Sequence, residues 1–392
     1  MVEPIYFDHS ATTPLDPRVV QAMEPWLGAT FGNPSSLHWA GRQAREAVEL
    51  ARCQVAALLN AQPNEIIFTA SGTEADNLAL RGVIEALGPG DHHLVTSAIE
   101  HPAILNTCRY LERRGVEVTY LPVSVEGIVN PTDLIQALRP TTRLVSIMAA
   151  NNVVGTLQPV TELGRIARTR GVLFHTDAVQ AAGKIPFDMQ AQPVDLLSMS
   201  AHKLHGPKGI GLLYVREGVP LAPLIHGGGQ ERGLRSATEN VAGIVGLGLA
   251  AELARVEMAD EAARLVHLRD RLIDQVTATI PNAYLVGHRY RRLPGHICLG
   301  FAGQEGEAIK LLLALDAAGI AISTGSACSA HHATEPSYIL RALGFDPLQA
   351  RGSLRITLGR FNTDAEVDRF LEVLPPLVGE LRPITSRHWA IA

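Results

Sequence analysis

The sequence Ser198-Met-Ser-Ala-His-Lys-Leu-His-Gly-Pro-Lys-Gly-Ile-Gly211 joins two apolar runs through a tight turn, and the fold prediction starts from it. Residues 194–197 form a short apolar run that predicts a buried strand, and residues 210–215 predict another. Two glycines and a proline between these runs predict a turn. Lys203 therefore lies between two strands, close to the end of the first.

Lys203 is the first candidate for chemistry, beside the hydroxyl of Ser200 and the imidazoles of His202 and His205. A lysine at a strand end, whose amine is drawn away from water, has a lowered pKa and can act as a nucleophile. Such an amine forms a Schiff base with a carbonyl. A solvated loop lysine fits the same residues, so this segment alone leaves both interpretations open.

The composition narrows the class of protein. A chain of 392 residues is too long for one small core and predicts two domains, with room for a third lobe. A hydrophobic fraction of 46% and a charged fraction of 19% are ordinary for a soluble globular protein. The formal net charge of −5 provides no basic field for nucleic acid or an anionic membrane. With no apolar run of transmembrane length and no signal segment, the cytoplasm is the expected location.

The four cysteines are widely spaced and include no CxxC pair, so the sequence predicts neither a zinc site nor a disulfide framework. Cys53, Cys108 and Cys298 lie in apolar or helical patterns and are expected to be small core residues. Cys328 differs, because small and polar residues surround it.

Short apolar runs alternate with helical patterns along most of the chain. Such alternation builds βαβ units and predicts an α/β fold, with a mostly parallel mixed sheet that helices cover on both faces. A long helical stretch from residue 238 to about residue 275 then leaves this unit. We predict a large domain over residues 15–257, and a smaller α+β domain from residues 1–14 and 258–392.

Polar residues at the carboxyl ends of strands point into the crevice where ligands of open α/β sheets bind. Ser71-Gly-Thr-Glu74 lies between a predicted strand and a predicted helix. Gly72 lets the backbone approach a ligand, Thr73 offers a hydroxyl, and the free N–H groups of the helix start favour an anion such as phosphate. An ordinary helix cap has the same composition.

Two further strand ends carry titratable groups. His101 could stack on a planar ligand or move protons near neutral pH, or it could merely cap a helix. Asp177 would be partly desolvated and needs a cationic partner, which a protonated pyridine nitrogen or a structural arginine would provide. Gln180, three residues on, can donate a hydrogen bond to the same ligand.

A glycine-rich loop, His226-Gly-Gly-Gly-Gln-Glu-Arg-Gly-Leu-Arg-Ser-Ala-Thr238, carries two arginines. It lacks the strand–GxGxxG–helix context, so it does not predict a dinucleotide site. A flexible connection is the simpler interpretation of this loop.

A lysine nucleophile, an acid for a ring nitrogen, an imidazole and phosphate donors are the parts that a pyridoxal phosphate site requires. At this point the chain resembles the cysteine desulfurases of the NifS/IscS type, class V aminotransferases within the fold type I (aspartate aminotransferase-like) pyridoxal phosphate enzymes. The motifs that carry the resemblance are Tyr6-Phe-Asp-His-Ser-Ala-Thr-Thr-Pro14, Ser71-Gly-Thr-Glu-Ala-Asp-Asn77, Glu100-His101, His175-Thr-Asp-Ala-Val-Gln180, Ser200-Ala-His-Lys203, Gly227-Gly-Gly-Gln-Glu-Arg-Gly233, Ser323-Thr-Gly-Ser-Ala-Cys328 and Leu354-Arg-Ile-Thr-Leu-Gly-Arg360.

The resemblance implies a role for each matching residue around the cofactor ring. Lys203 would hold the cofactor as a Schiff base, Asp177 would pair with the pyridine nitrogen, and Gln180 would hydrogen-bond the ring oxygen. His101 would stack on the ring and help in proton transfer. The implied phosphate site consists of Gly72, Thr73, Ser200, His202 and, from the other subunit of a homodimer, Thr238.

The resemblance also implies how a substrate is held and used. Arg355 would pair with the substrate carboxylate, which suits its bidentate fork, and Asn152 would contact the cofactor or the substrate. L-Cysteine would become L-alanine, and Cys328 would take the sulfur as a persulfide. Acceptor proteins for iron–sulfur cluster assembly, or for other thio-cofactor or tRNA synthesis, would then receive it. No metal site is predicted, apart from an iron–sulfur contact through the Cys328 persulfide.

Cys328 has an alternative interpretation as an incidental surface cysteine. A free thiol has a pKa of about 8.5, so only a minor fraction is thiolate at neutral pH unless neighbours help. Without Cys328 chemistry, the chain would be a selenocysteine lyase or a related pyridoxal phosphate lyase or aminotransferase. A catalytically idle dimeric docking platform is the alternative from another class.

The sequence departs from the family pattern at two places. Val153 stands where most relatives have Glu after two asparagines, so an acidic group beside the cofactor is lost. His331 and His332 follow Cys328 in a loop that is one residue longer than usual. These imidazoles could bind a metal or the edge of an iron–sulfur cluster, or they could lower the pKa of the Cys328 thiol, but an ordinary solvated loop is the expected interpretation.

Overall fold

The computed structural model describes residues 3–325 and 336–381. Its helices are α1 (Pro17–Met23), α2 (Trp39–Leu59), α3 (Gly72–Ala86), α4 (Pro102–Glu112), α5 (Pro131–Ala137), α6 (Val160–Thr169), α7 (Val241–Thr279), α8 (Ala308–Ala317), α9 (Tyr338–Ala342) and α10 (Asp364–Glu380). Its strands are β1 (Ile5–Tyr6), β2 (Ile66–Thr69), β3 (His93–Ser97), β4 (Glu117–Leu121), β5 (Thr142–Ser146), β6 (Leu173–Asp177), β7 (Leu196–Ser200), β8 (Gly211–Val215), β9 (Ala283–Leu285), β10 (His296–Phe301), β11 (Ile320–Ala321), β12 (Ser323–Thr324) and β13 (Ser353–Thr357).

The large sheet is mostly parallel, and this confirms the predicted α/β fold. Among the described residues its strand order is β2-β8-β7-β6-β5-β3-β4, and β8 runs antiparallel to both of its neighbours. The other neighbouring strands pair in parallel. Every residue of β2, β3, β7 and β8 is buried, as expected for strands that are covered on both faces.

Helices cover both faces of the large sheet with apolar side chains. Residues of α2, α6 and the first half of α7 share a core with one face, which includes the fully buried Phe174. Residues of α3 and α4 form the core on the opposite face, which includes the fully buried Leu80. This arrangement leaves the strand ends, rather than the sheet faces, free for a ligand.

A smaller unit surrounds a second core. Its antiparallel sheet has the order β12-β13-β10-β9 among the described residues, and β1 pairs in parallel with β11 beside it. Phe7 from the N-terminal segment packs on Phe370 of α10, with ring centroids 5.9 Å apart. The N-terminal segment therefore packs on the smaller unit and then continues toward the large one.

Helix α7 contributes to both cores. Leu247 in its first half is buried in the core of the large unit, and Leu272 in its second half is buried in the core of the smaller one. The division between residues 257 and 258 falls inside this helix and stays a prediction. In residues 3–325 and 336–381, no helix is both long and apolar enough to cross a membrane.

The prediction that three cysteines lie in the core was wrong for one of them. Cys108 and Cys298 are buried, but Cys53 is exposed. It lies on α2, whose buried side carries Val48, Ala51 and Val55, so its position in the helical period points outward.

Candidate active site

A cavity of about 390 Å³ lies where β6 and β7 end and α3 begins. Ser10 and Ala11 of the N-terminal segment form part of its wall. The predicted site residues that line this one cavity are Gly72, Thr73, His101, Asn152, Asp177, Gln180, Ser200, His202, Lys203 and Arg355.

Lys203 ends the short turn that follows β7, so its amine lies at the cavity wall. The amine donates hydrogen bonds to the carbonyl oxygens of Ser10 and Ala11, the latter at 2.7 Å. The carbonyl of Ser10 also accepts a hydrogen bond from Gln180 Nε2 at 2.9 Å. The N-terminal segment thus positions both predicted cofactor contacts through its backbone.

The first turn of α3 forms one end of the cavity. Gly72 and Thr73 begin this helix, and first-turn N–H groups have no partner within a helix. A Cβ atom added to Gly72 would lie 2.6 Å from Val179 Cγ2, so a side chain there would collide with the segment after β6. Glycine therefore permits the close approach of the helix start, whose N–H groups suit an anion.

Ser200 and His202 lie beside that helix start. Ser200 is buried at the end of β7, and His202 Nδ1 lies 3.1 Å from Thr12 Oγ1. Burial, together with the positive charge of Lys203, lowers the pKa of His202 to about 4. The neutral imidazole can donate one hydrogen bond to a phosphate without adding a charge.

Asp177 is a buried acid at the end of β6. Its Oδ1 accepts a hydrogen bond from the Val179 N–H at 2.9 Å. Burial raises the pKa of Asp177, while the charges of His101 and Lys203 oppose this rise. No arginine in the described part of the chain forms an ion pair with it, so the structural-arginine interpretation has no support there.

His101 serves as the N-cap of α4 and also lines the cavity. Its Nδ1 accepts a hydrogen bond from the Ala103 N–H at 3.1 Å. Burial lowers the pKa of His101, against the opposing charge of Asp177. His101 therefore both caps α4 and presents its imidazole to the cavity. With its pKa lowered, the imidazole is neutral near pH 7.

Arg355 brings a buried cation from β13 of the smaller unit to the cavity. Its Nη2 lies 2.9 Å from Asp8 Oδ1, and its Nη1 donates to the Asn152 carbonyl oxygen at 3.2 Å. Its Nε is buried and has no hydrogen-bond partner among the described residues. The Nε–H of the guanidinium is therefore available to donate a hydrogen bond to a carboxylate.

Three buried titratable groups at or near the cavity escaped prediction, and one of them, Asp76, lines the cavity itself. Burial raises the pKa of Asp76, and the charge of Asp177 adds to that rise. Burial also raises the pKa of Glu100 to about 8 and lowers the pKa of His175 to about 3. The sequence contains one signal for Asp76, because it follows Gly72 by four residues and so lies on the same side of α3.

Lys184 is a further residue that sequence reasoning missed. It lines a second, inner cavity of about 60 Å³, and Ser10 and Lys203 line both cavities. Burial, together with the charge of Lys203, lowers the pKa of Lys184 to about 7. Its place four residues after Gln180 in the sequence is the only signal for it.

Among the described residues, one predicted site residue, Thr238, does not line the cavity. Thr238 is exposed and lies outside the set of residues that line the cavity of its own chain. Cys328, with His331 and His332, lies outside the described residues.

Val153, the residue at which we expected an acid from the family resemblance, is fully buried. It belongs to an apolar cluster with Met148, Ile339 and Leu340. The lost acid is thus replaced by packing between the cavity wall and α9.

The residues present fit pyridoxal phosphate. The buried carboxyl of Asp177 forms no ion pair with an arginine among the described residues and can pair with a pyridine nitrogen, and the glycine-permitted start of α3 suits the phosphate. The fold and the cavity together define the class, a pyridoxal phosphate-dependent enzyme of fold type I.

Comparison with known proteins gives the family. The model of the family described as aminotransferase class-V matches residues 5–370. The chain belongs to this family.

Relatives and solved structures resemble the chain over nearly its whole length. A relative from Dictyoglomus turgidum named "Cysteine desulfurase IscS" is 49% identical over 393 residues, which cover 100% of this chain and 99% of that protein. A solved structure named "NIFS-LIKE PROTEIN" superposes with a TM-score of 0.90 at 41% identity, covering 96% of this chain and 100% of the other. The structure "SspA in complex with cysteine" superposes with a TM-score of 0.81 at 36% identity, covering 92% of this chain and 100% of the other.

Proposed function

We propose that the protein is a pyridoxal phosphate-dependent cysteine desulfurase, which converts L-cysteine to L-alanine and transfers the sulfur to Cys328. One cavity brings together the amine of Lys203, the buried acid Asp177 and the buried cation Arg355, and this arrangement carries the proposal. The name of the Dictyoglomus turgidum relative and the cysteine in the complex with SspA support it.

Arg355 binds the substrate carboxylate. It lies in an almost fully buried position, where a charge-assisted pair with a carboxylate is strong and directional. Its Nε–H can donate to this carboxylate while Nη1 keeps its hydrogen bond to the Asn152 carbonyl oxygen. A substrate held there by its carboxylate has its amine free to face Lys203 across the same cavity.

Pyridoxal phosphate, when bound, supplies an aldehyde for the substrate amine and a ring that withdraws electrons from the α-carbon. Lys203 would hold the cofactor, Asp177 would pair with its ring nitrogen, and Gln180 would donate a hydrogen bond toward its ring oxygen. At the other end of the cavity, the start of α3 and the side chains of Ser200 and His202 would surround the phosphate.

Two groups of the chain can move the α-proton. The lowered pKa of His101 leaves its imidazole neutral near pH 7, so it can accept a proton there. The amine of Lys203, whenever it is not bound to the cofactor, would be available as a base. Both side chains line the cavity.

The Cys328 thiolate attacks the sulfur of the substrate. The bond between that sulfur and Cβ breaks, a new S–S bond forms, and Cys328 becomes a persulfide. The three-carbon amino acid that remains takes up the protons and leaves as alanine. The sum is cysteine plus thiol giving alanine plus persulfide, which needs no external oxidant or reductant.

The partners that we propose are sulfur acceptors and a second copy of the chain. A persulfide must pass its outer sulfur to a nucleophile, such as an iron–sulfur scaffold or another thio-cofactor or tRNA pathway protein. The exposed position of Thr238, outside the cavity of its own chain, supports a homodimer in which it reaches the phosphate of the other subunit. Phe31, Leu37 and Trp39 are exposed apolar side chains that such an interface would cover. A cytoplasmic location stays a prediction.

The deciding experiment measures sulfide and alanine released from L-cysteine in the presence of a thiol reductant. Wild type should give equal amounts of both products, and Cys328→Ala should give almost none. Cys53→Ala is the matched control, because it removes an exposed thiol that lies on α2. Full activity of Cys328→Ala would mean that the persulfide step is wrong and would leave a direct lyase.

A further inference from the structure

Glu231 lies in the glycine-rich loop of residues 227–238, yet its carboxylate is deeply buried. Its Oε1 lies 2.8 Å from Arg52 Nη2, its Oε2 accepts from Arg52 Nη1 at 2.9 Å, and Oε2 also accepts from the Phe68 N–H at 2.8 Å. The side chains of Glu231 and Arg52 are only 4% and 6% exposed. One carboxylate therefore ties this loop to α2 and to β2.

The backbone of the loop is strained at this point. Glu231 and Arg232 have φ angles of +48° and +58°, in the left-handed region that side chains with a Cβ atom disfavour. Such strain persists where surrounding contacts over-determine the conformation, and it is frequent at functional sites. The three hydrogen bonds to the Glu231 carboxylate are contacts of that kind.

A second ion pair connects the loop to the predicted phosphate site. Arg235 Nε lies 2.8 Å from Glu74 Oε1, and Glu74 follows Thr73 in the first turn of α3. Three residues beyond Arg235, Thr238 is exposed and does not line the cavity of its own chain. The loop is thus fixed twice to its own subunit, and then presents a hydroxyl outward.

We infer that Glu231 is a positioning residue, which holds the loop of residues 227–238 so that Thr238 reaches the cofactor phosphate of a second copy of the chain. This inference rests on the proposed function, because it requires the homodimer and the phosphate role of Thr238. Without the Glu231 ion pair, the glycine-rich loop would sample many conformations. Ordering the loop when the cofactor binds would then lower the affinity for the cofactor.

The test is a double-mutant cycle on the holoenzyme, with Glu231→Gln, Thr238→Ala and the double variant. The rate of cofactor release is followed by the loss of its visible absorption when an excess of a trapping apoprotein is present. Each single variant should release the cofactor about tenfold faster, the effect expected for one phosphate hydrogen bond. The double variant should match the single variants, because Glu231 acts through Thr238.

Glu49→Gln is the matched control. Glu49 contacts the same guanidinium, with its Oε2 3.2 Å from Arg52 Nε, but its side chain is 56% exposed and lies outside the loop. This variant should release the cofactor at the wild-type rate. If Glu231→Gln fails to fold, Glu231→Asp, which keeps the charge on a shorter side chain, replaces it in the same cycle.

Three results would overturn the inference. If the increases in release rate of the two single variants multiply in the double variant, Glu231 only stabilises the fold. If the release rate of Glu231→Gln equals that of wild type, the loop does not need the Glu231 ion pair to hold its position. An unchanged rate in Thr238→Ala would remove the phosphate contact across subunits, and the inference with it. Sulfide release from the same samples reports separately on the desulfurase activity, so the two failures can be told apart.

Discussion

Asp8 occupies part of the guanidinium that we assign to the substrate carboxylate, since its Oδ1 lies 2.9 Å from Arg355 Nη2. Its other oxygen, Oδ2, accepts a hydrogen bond from Ser323 Oγ at 2.9 Å. A resident carboxylate therefore neutralises the cation before any substrate arrives, and it must share or yield this position when the substrate carboxylate binds.

Replacing this resident acid should tighten substrate binding. In Asp8→Asn the side chain keeps its shape but no longer neutralises Arg355, so the KM for L-cysteine should fall by about three- to tenfold. The dissociation constant of L-alanine, followed through the cofactor spectrum, should fall in parallel because alanine presents the same carboxylate. Ser323→Ala is the control, since it removes the other contact of Asp8 and leaves the pair with Arg355. A rise in both constants would mean that Asp8 orients Arg355 rather than competing for it.

Glu100 should make the protein less stable as the pH rises. Its pKa is about 8 in the folded chain, against an ordinary value of 4.5, so between these values the folded state binds a proton that the unfolded state has lost. Stability should therefore fall from about pH 4.5 to about pH 8, by on the order of 1 kcal/mol per pH unit from this group. Denaturant titrations of the cofactor-depleted protein across this range should show a shallower fall for Glu100→Gln. Glu46→Gln, at an exposed position of α2, should keep the wild-type slope.

Glu100→Gln could instead show the same dependence of stability on pH as wild type, and hydrogen bonds to the Glu100 carboxyl would then be the reason. The carboxyl of Glu100 accepts hydrogen bonds from Ser97 Oγ at 2.6 Å and from the Met148 N–H at 3.0 Å. If both variants keep the wild-type slope, these donors stabilise the ionised carboxylate enough to cancel the cost of burial.

The sequence predicted most of the cavity because of one physical regularity. Parallel strands place their carboxyl ends along one edge, so Asp177 and Lys203, each following an apolar run, were expected to meet there. They line one cavity together with the start of α3. Arg355 was predicted only from the family motif. It belongs to the smaller unit, so the alignment of strand ends in the large sheet could not place it beside Asp177 and Lys203.

The residues that escaped prediction depend on contacts between distant parts of the chain. Asp8 meets Arg355 only because β1 pairs with β11 and extends the N-terminal segment past β13, a contact 347 residues apart. From the sequence, Glu231 is expected to lie in a flexible glycine-rich connection, whereas in the structure its carboxylate pairs with Arg52. An ion pair becomes buried only when the chain folds, so the spacing of its two residues in the sequence does not predict it.

A pair of substitutions can separate the capping contact of His101 from the proton-transfer role that we propose for it. His101→Asn keeps a good N-cap for α4 but loses the ring, whereas His101→Phe keeps a ring that can stack but loses the cap. If the imidazole moves the α-proton, exchange of that proton of L-alanine with deuterated solvent should slow by about 10²- to 10⁴-fold in both variants. Proton NMR of alanine measures this exchange directly. Wild-type exchange in His101→Asn would leave only the capping role.

Lys184 should act on stability in the direction opposite to Glu100. Its pKa is about 7 in the folded chain, against an ordinary value of 10.5, because of burial and the nearby charge of Lys203. Between these values the unfolded state binds the extra proton, so stability should rise with pH from about 7 to about 10.5. The slope is expected to be on the order of 1 kcal/mol per pH unit at most, since part of Lys184 faces the inner cavity.

Replacing Lys184 by an uncharged side chain of similar length should remove this slope. Lys184→Met should be more stable than wild type near pH 7, and the difference should shrink toward pH 10, in denaturant titrations of the cofactor-depleted protein. Lys208→Met, at an exposed position two residues after Gly206, should leave the wild-type slope unchanged. A Lys184→Met variant that is less stable than wild type at pH 7 would mean that the ammonium gains more from its surroundings than burial costs. In that case the carbonyl oxygens or water of the inner cavity would have to solvate it, since no carboxylate in the described part of the chain forms an ion pair with Lys184.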